Sequence, residues 1–193
     1  FLKSLDSSGT AKEYEALRAS LSRRPTLTEF YHSGASVPLM RNQYGGWFRL
    51  VAEMGDLSEL ETQVVARHNL FLHAVEVTSM TKCFKMVLLE SFLELNGLSS
   101  APPLETVCER SWQTLHRRKS FLNDLPEAKF GSEDGKSAAW QAYWRANPVN
   151  AWIGGNRSAT DASYFELKND KFRFTQSIDI DDPTALSELV QEL

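Results

Sequence analysis

Apolar residues recur every three or four positions along most of the chain, and this spacing is typical of helices that bury one face. The widest apolar face runs from Met80 to Leu95 and predicts a central core helix. A second stripe follows Pro102-Pro103 and predicts a partner helix. We expect the two helices to pack through Phe84, Leu88 and Phe92 on the first and Val107, Trp112 and Leu115 on the second.

Local signals divide the first half of the chain into short helices. Thr26 with Glu29, and Ser58 with Glu61, form the Ser/Thr-x-x-Glu pattern of a capping box, so a helix should begin after each. Gly45-Gly46 lies inside the third apolar stripe, where two glycines cost about 2 kcal/mol of helix propensity. We therefore predict that the third helix breaks at this pair, or that something packs tightly against it.

The last third of the chain contains a different pattern. Apolar and polar residues alternate from Tyr164 to Leu167 and from Lys171 to Thr175, around Asn169-Asp170, and predict a β-hairpin. A short helix ended by Asn147-Pro148 precedes the hairpin, and a final helix covers residues 184–193.

The predicted fold class is therefore mainly α. A helix-turn-helix-like unit occupies residues 1–77, and a winged-helix-like unit with the small β-hairpin and the C-terminal helix occupies 78–193. The chain begins at Phe1 rather than Met and stops at Leu193 inside a predicted helix, so we expect it to be a fragment of a larger protein.

Composition narrows the functional classes. The chain is 42% hydrophobic, enough for a core, and its net charge of −4 argues against a strong autonomous nucleic-acid binder. No apolar run approaches the roughly 20 residues of a membrane span, so we expect no membrane partner. Cys83 and Cys108 lie on apolar stretches and indicate buried thiols in a reducing cytoplasm.

Cofactor signals are missing from the sequence. The histidines lack the spacing of metal ligands, even where His68 and His73 stand five residues apart. No glycine-rich loop with Gly-Lys-Ser/Thr is present, so this chain should not hydrolyse ATP unaided. We expect no cofactor and no catalytic centre.

One group of residues suggests DNA contact in the first unit. The stretch Arg24-Pro25-Thr26-Leu27 and the later Tyr44-Gly45-Gly46-Trp47 resemble small helical repeats that accompany homing endonucleases and HNH nucleases, with Gly46 in place of their Ser. The resemblance covers about residues 11–55 and implies that Arg41, Asn42 and Gln43 face DNA. Such side chains suit base recognition; the alternative is a solvated helix face.

A second resemblance covers most of the chain, from about Arg24 to the end. The Met80 to Leu89 run, with Asn147-Pro148 later, resembles the region that follows the motor domains of bacterial DEAD/DEAH-type superfamily 2 helicases. This resemblance implies a setting in which the motor domains belong to the same chain or to a partner chain.

Basic residues in the second unit are candidates for phosphate contact. They lie at three places: Lys82 and Lys85 before and on the core helix, Arg117, Arg118 and Lys119 at the end of the next helix, and Lys168, Lys171 and Arg173 on the wing. The alternative for the group at the helix end is that its positive charge only stabilises the helix dipole. The alternative for the wing is that its charges are simply solvated.

The resulting hypothesis is a DNA-contacting accessory domain of a bacterial helicase, in genome defence or repair. The alternative is a protein-interaction scaffold that docks a motor or nuclease partner. A third hypothesis is a metal-dependent nuclease, because Glu166-Leu167-Lys168 is a Glu-x-Lys pattern on a predicted strand with Asp161 before it. Restriction nucleases normally place that aspartate on a separate, more distant strand.

Overall fold

The computed structural model describes residues 3–79, 81–126, 134–155 and 163–193, with side chains described from residue 9 onward. It is mainly helical with one small antiparallel sheet, as predicted. The helices are α1 (Lys3–Leu21), α2 (Leu27–His32), α3 (Val37–Tyr44), α4 (Trp47–Glu53), α5 (Glu59–Glu76), α6 (Phe84–Glu94), α7 (Leu104–Arg117), α8 (Ala138–Trp144), α9 (Asn150–Trp152) and α10 (Asp182–Gln191). A 3₁₀ helix (Lys119–Asp124), a π-helical turn (Arg145–Val149) and the strands β1 (Phe165–Lys168) and β2 (Lys171–Phe174) complete the list.

The helices form two compact units. Unit 1 comprises residues 1–78 together with 184–193, and unit 2 comprises 79–183. The C-terminal helix was expected in the second unit, at 78–193, but residues 184–193 belong to unit 1. The reason is a long-range pairing: Leu27 N donates to Glu192 O at 2.9 Å, and Arg24 binds the Glu192 side chain.

Short helices in unit 1 begin where the capping signals predict. Thr26 and Glu29 form a complete capping box at the start of α2, and Ser58 and Glu61 form another at the start of α5. The predicted break at Gly45-Gly46 is also confirmed, with φ values of +85° and +145° that favour glycine.

Because the chain changes direction at this break, the Trp47 side chain lies at the centre of the unit 1 core. Its ring centroid lies 5.8 Å from that of Tyr14 and 5.5 Å from that of Phe30, and all three side chains are buried. Aromatic rings at this separation, tilted relative to one another, pack favourably beyond their burial alone.

Unit 1 also contains a polar cluster centred on Arg24. The guanidinium donates to Asp56 O at 2.6 Å and pairs with the carboxylates of Glu61 and Glu192. Asp56 also accepts a 2.7 Å hydrogen bond from the Tyr14 hydroxyl. The cluster thus joins the α1–α2 loop to the beginning of α5 and to the end of α10.

Phe92 occupies the middle of the unit 2 core. Its ring meets Phe165 at 5.3 Å and Phe172 at 5.5 Å, both edge to face, and these two rings stack on each other at 4.9 Å across the hairpin. Gly97 lies directly on the Phe92 ring, where a Cβ atom would come within 2.3 Å of a ring carbon. The hairpin is therefore bound to α6 through aromatic contacts.

The hairpin has the predicted position and turn. Phe165 pairs with Phe174 and Lys168 with Lys171, so the pair Asn169-Asp170 forms a two-residue turn. Both turn residues have positive φ, +51° and +55°, as a type I′ turn requires. The phenylalanines of the two strands are buried, and the charged residues lie on the opposite face.

The chain does not leave the helical path at Asn147-Pro148, contrary to the sequence prediction. A π-helical turn carries it through Pro148 and into α9. The wider π turn accommodates a ring that clashes with the preceding turn of an α-helix. Burial of Pro148, Val149 and Trp152 stabilises this continuation.

Five of the six residues expected to join α6 to α7 are buried, and Trp112 is the exception. Trp112 is half-buried and packs at the edge of the core, 4.9 Å from the ring of Trp140 and 4.2 Å from that of His116. The helical spacing thus identified the right helix face but did not distinguish its edge from its centre.

We expect Phe92→Ala to destabilise unit 2 by about 3–5 kcal/mol, because it removes a fully enclosed ring and leaves a cavity. Trp112→Ala should cost less, since its ring is partly in solvent already. Chemical denaturation of both variants measures the difference. An equal or larger loss for Trp112→Ala would contradict this description of the core.

Acid should weaken unit 1 through Glu61. Its hydrogen bond from Arg24 and those at the cap lower the pKa of this carboxyl from an ordinary value of 4.5 to about 2. The ionised form is favoured in the folded state, so the contribution is present above pH 4.5 and is lost as pH falls towards 2. Denaturation of wild type and Glu61→Gln should differ most above pH 5 and converge near pH 2; a constant difference would contradict the assignment.

Candidate nucleic-acid interface

Arg41, the first residue expected to face DNA, is engaged inside unit 1. Its Nε donates to Glu76 Oε1 and its Nη2 to the Glu76 carbonyl, both at 2.7 Å. The Glu76 side chain is 3% exposed, and its other oxygen accepts from Trp47 N at 2.9 Å. Arg41 therefore neutralises a buried carboxylate and caps the end of α5, and only its remaining N–H groups can reach a ligand.

The two neighbours of Arg41 differ in accessibility. Asn42 is exposed on α3. Gln43 is half-buried, and its side-chain oxygen accepts a 2.6 Å hydrogen bond from the Thr10 hydroxyl of α1. Of the three residues that the repeat resemblance implies, Asn42 is the most accessible to a base.

The basic group at the end of α7 is largely neutralised by α6. Arg117 binds both oxygens of Glu94 at 2.9 Å, and Arg118 binds both oxygens of Glu90 at 2.8 and 2.9 Å. The Arg118 pair is bidentate, with Nη1 and Nη2 each donating to one oxygen, and this is the strongest geometry between these groups; Arg117 contacts both oxygens through Nη2 alone. Lys119 follows on the surface and is exposed.

Lys82 and Lys85 lie against aromatic rings. Lys82 Nζ is 5.1 Å from the Phe84 ring centroid and donates to Asp124 O at 3.0 Å. Lys85 Nζ is 5.0 Å from the centroid of Trp152. These cation–π contacts, and for Lys82 the Asp124 carbonyl, already use part of the binding capacity of the two ammonium groups.

The outer face of the hairpin carries the third basic group. Arg173 pairs with Glu166 across the strands, which leaves Lys168 and Lys171 opposite each other at the turn. Arg145 lies beside the turn, with Nη2 at 3.2 Å from Asp170 Oδ1. Sequence reasoning missed Arg145, because the contact spans 25 positions of the chain.

Among the described residues of unit 2, the basic groups do not form one continuous patch. Pro103 pairs with Lys171, so the hairpin turn lies at the beginning of α7, whereas Lys119 follows its end. With 14 residues, α7 is about 20 Å long, roughly two Debye lengths at 0.1 M salt. The beginning of α7 also carries the exposed Glu105, where a recognition helix would meet phosphate.

The nuclease hypothesis gains no support from the described residues. Glu166 pairs with Arg173, and no three His, Cys, Asp or Glu side chains converge as metal ligands within the described ranges. Asp161 lies outside the described residues. The two thiols are free, and burial raises the pKa of Cys83 and Cys108 to about 12, so both are poor nucleophiles.

Comparison of the chain with models of protein families, with curated proteins and with solved structures gives no match. Within the described ranges, no helix is both long and apolar enough to cross a membrane.

We expect Arg41→Ala to cost about 3–5 kcal/mol of stability, because it leaves the buried Glu76 carboxylate without its cation. Asn42→Ala, one position along on the exposed side of α3, should change stability by less than about 0.5 kcal/mol. Denaturation midpoints of the two variants test the comparison. Unchanged stability in Arg41→Ala would mean that its guanidinium is available for base recognition.

Proposed function

We propose that the chain is a DNA-contacting accessory module of a bacterial helicase, and that its main contact is the hairpin turn. The observation that carries the proposal is the cross-strand pair Lys168 and Lys171. Both side chains are exposed, and no acidic partner is found for either within the described ranges.

Like charges directly opposite each other on neighbouring strands destabilise a sheet. Asp170 lies at the turn between the lysines, but Arg145 engages its carboxylate. The hairpin end therefore has a surplus of two positive charges in a chain whose net charge is −4. A phosphate that bridges both lysines removes the repulsion, and wing-like hairpins commonly contact the DNA backbone.

The helicase setting comes from the resemblance of residues 80–89 and 147–148 to the region after superfamily 2 motor domains. Two or three accessible cations give weak, sequence-independent binding. The motor domains, in the same chain or a partner chain, would supply further contacts. This division of roles fits a module that orients DNA rather than one that holds it alone.

A protein-interaction scaffold is the second candidate. The observation in its favour is that Arg41, Arg117 and Arg118, which would extend a basic surface, are paired with glutamates of neighbouring helices. If the isolated chain shows no binding to duplex or single-stranded DNA at low salt, the scaffold becomes the better explanation.

The test is a salt titration of duplex DNA binding by the wild-type chain and by Lys168→Ala/Lys171→Ala. The double variant should bind more weakly to every sequence. The slope of its log affinity against log salt should also be smaller in magnitude by about 1.8, because each lost phosphate contact contributes about 0.9 to that slope. Lys12→Ala, which removes an exposed lysine of α1, is the matched control and should change neither quantity.

Lys171→Glu separates the functional role from a structural one. It replaces a like-charge pair by an opposite pair, so it should stabilise the hairpin by about 0.2–1 kcal/mol while it weakens DNA binding. If DNA affinity is unchanged in both hairpin variants, the proposed contact is wrong.

A further inference from the structure

Unit 1 contains a small groove between the Gly45-Gly46 turn and the outer side of α5. Its volume is about 200 Å³, and four apolar side chains form much of its lining: Phe48, Val65, Leu70 and Leu72. Phe48 and Leu72 are buried beneath the surface, whereas Leu70 is 69% exposed at the edge. Leu70 thus places an exposed aliphatic side chain at the edge of the apolar depression.

The polar rim of the groove contains one cation without an ion-pair partner among the described residues, Arg49. Glu76 lines the groove, but Arg41 and Trp47 N already bind its carboxylate. Arg49 is exposed at the rim, and among the described residues no acidic side chain lies within ion-pairing distance of it. Asn69 and His73, both exposed, supply further hydrogen-bonding groups.

The glycine turn holds Arg49 in this place. A Cβ atom at Gly45 would lie 3.2 Å from Arg49 Nη1 and 3.4 Å from its Cδ, so the side chain rests against bare backbone. A Cβ atom at Gly46 would lie 2.9 Å from Glu76 Oε2. The two glycines thus allow a guanidinium and a buried carboxylate to approach the same turn from two sides.

We infer that this groove docks a short peptide segment of a partner protein, one that carries a single large apolar side chain next to a carboxylate. A cavity of about 150 Å³ is enough for a benzene ring, whereas pockets for cofactors and drug-sized ligands usually exceed about 300 Å³. The groove therefore accommodates one leucine or phenylalanine side chain. The adjacent carboxylate pairs with Arg49.

Charge and polarity favour a peptide over nucleic acid at this site. The lining is mostly apolar, and Arg49 is its main cation, whereas nucleic-acid sites combine several cations along the backbone path. One anchor side chain with one ion pair gives a weak, reversible contact of the kind found in linear-motif recognition. The inference does not rest on the proposed DNA contact, which uses residues of unit 2.

The experiment is an NMR titration of the whole ¹⁵N-labelled chain with a blocked pentapeptide, Gly-Asp-Leu-Asp-Gly. The amide signals of residues 45–49 and 69–73 should shift in a saturable manner. Arg49→Glu should weaken binding about tenfold, the loss of one charge-assisted hydrogen bond. Leu70→Ser should also weaken it. Leu60→Ser, which alters an exposed leucine of α5 that does not line the groove, is the control and should have no effect.

Charge reversal keeps the test independent of folding effects. Gly-Lys-Leu-Lys-Gly should bind Arg49→Glu better than it binds the wild-type chain, and Gly-Asp-Ser-Asp-Gly should bind neither. Three outcomes would overturn the inference: no saturable shift, shifts outside the groove, or equal binding of the Asp and Lys peptides to wild type. A fourth is a shift of the groove amide signals when an oligonucleotide is added but not when the peptide is added. That result would assign the groove to nucleic acid.

Discussion

Glu76 connects three helices of unit 1 through one nearly inaccessible carboxylate. An ionised group in such a place is tolerated only when its oxygens are satisfied, and here Arg41 and Trp47 N satisfy them. The Trp47 amide can reach Glu76 because the chain breaks at Gly45-Gly46 and starts a new helix. The same break brings the Trp47 indole between Tyr14 and Phe30. The core, the turn and the groove beside it therefore meet at this one ion-paired carboxylate.

This constraint also bears on function. A guanidinium that stabilises a buried carboxylate is not free to read a base without a cost to the fold. Similar pairing of Arg117 and Arg118 with α6 shifts the accessible positive charge towards the hairpin. The proposed DNA contact uses Lys168 and Lys171, the two cations that the fold places opposite each other, where they repel. Ion pairs within the fold thus determine which cations remain accessible to a ligand.

The sequence predicted those parts of the fold that depend on nearby residues. The capping boxes at Thr26 and Ser58, the glycine break and the Asn169-Asp170 turn each involve groups a few positions apart. The prediction at Pro148 was wrong, because the cost of a proline inside a helix is local, whereas the burial that offsets it comes from packing against α6, far away in the sequence. The C-terminal helix was misplaced for a similar reason, since no local signal reports its pairing with Leu27.

At the candidate site, too, the sequence predicted local features but not long-range contacts. Residue type identified the cations on the hairpin itself but not Arg145, which lies beside it, and alternation placed Lys168 and Lys171 correctly on the exposed face. The acidic partners of the other cations could not be read from the sequence. Glu76 lies 35 positions from Arg41, Glu90 lies 28 from Arg118, and Glu94 lies 23 from Arg117. The Glu90 and Glu94 spacing of one helical turn was the signal that could have suggested an acidic stripe on α6.

The pairing of Arg24 with Glu192 spans 168 positions and makes unit 1 discontinuous along the chain. During synthesis, all of unit 2 is translated before the last helix of unit 1 exists. Leu186 and Leu189, which are fully buried in the finished protein, arrive last. The contacts that bury these two leucines in unit 1 can therefore form only after the whole of unit 2 has been translated, so the completion of unit 1 depends on long-range contacts across the inserted unit.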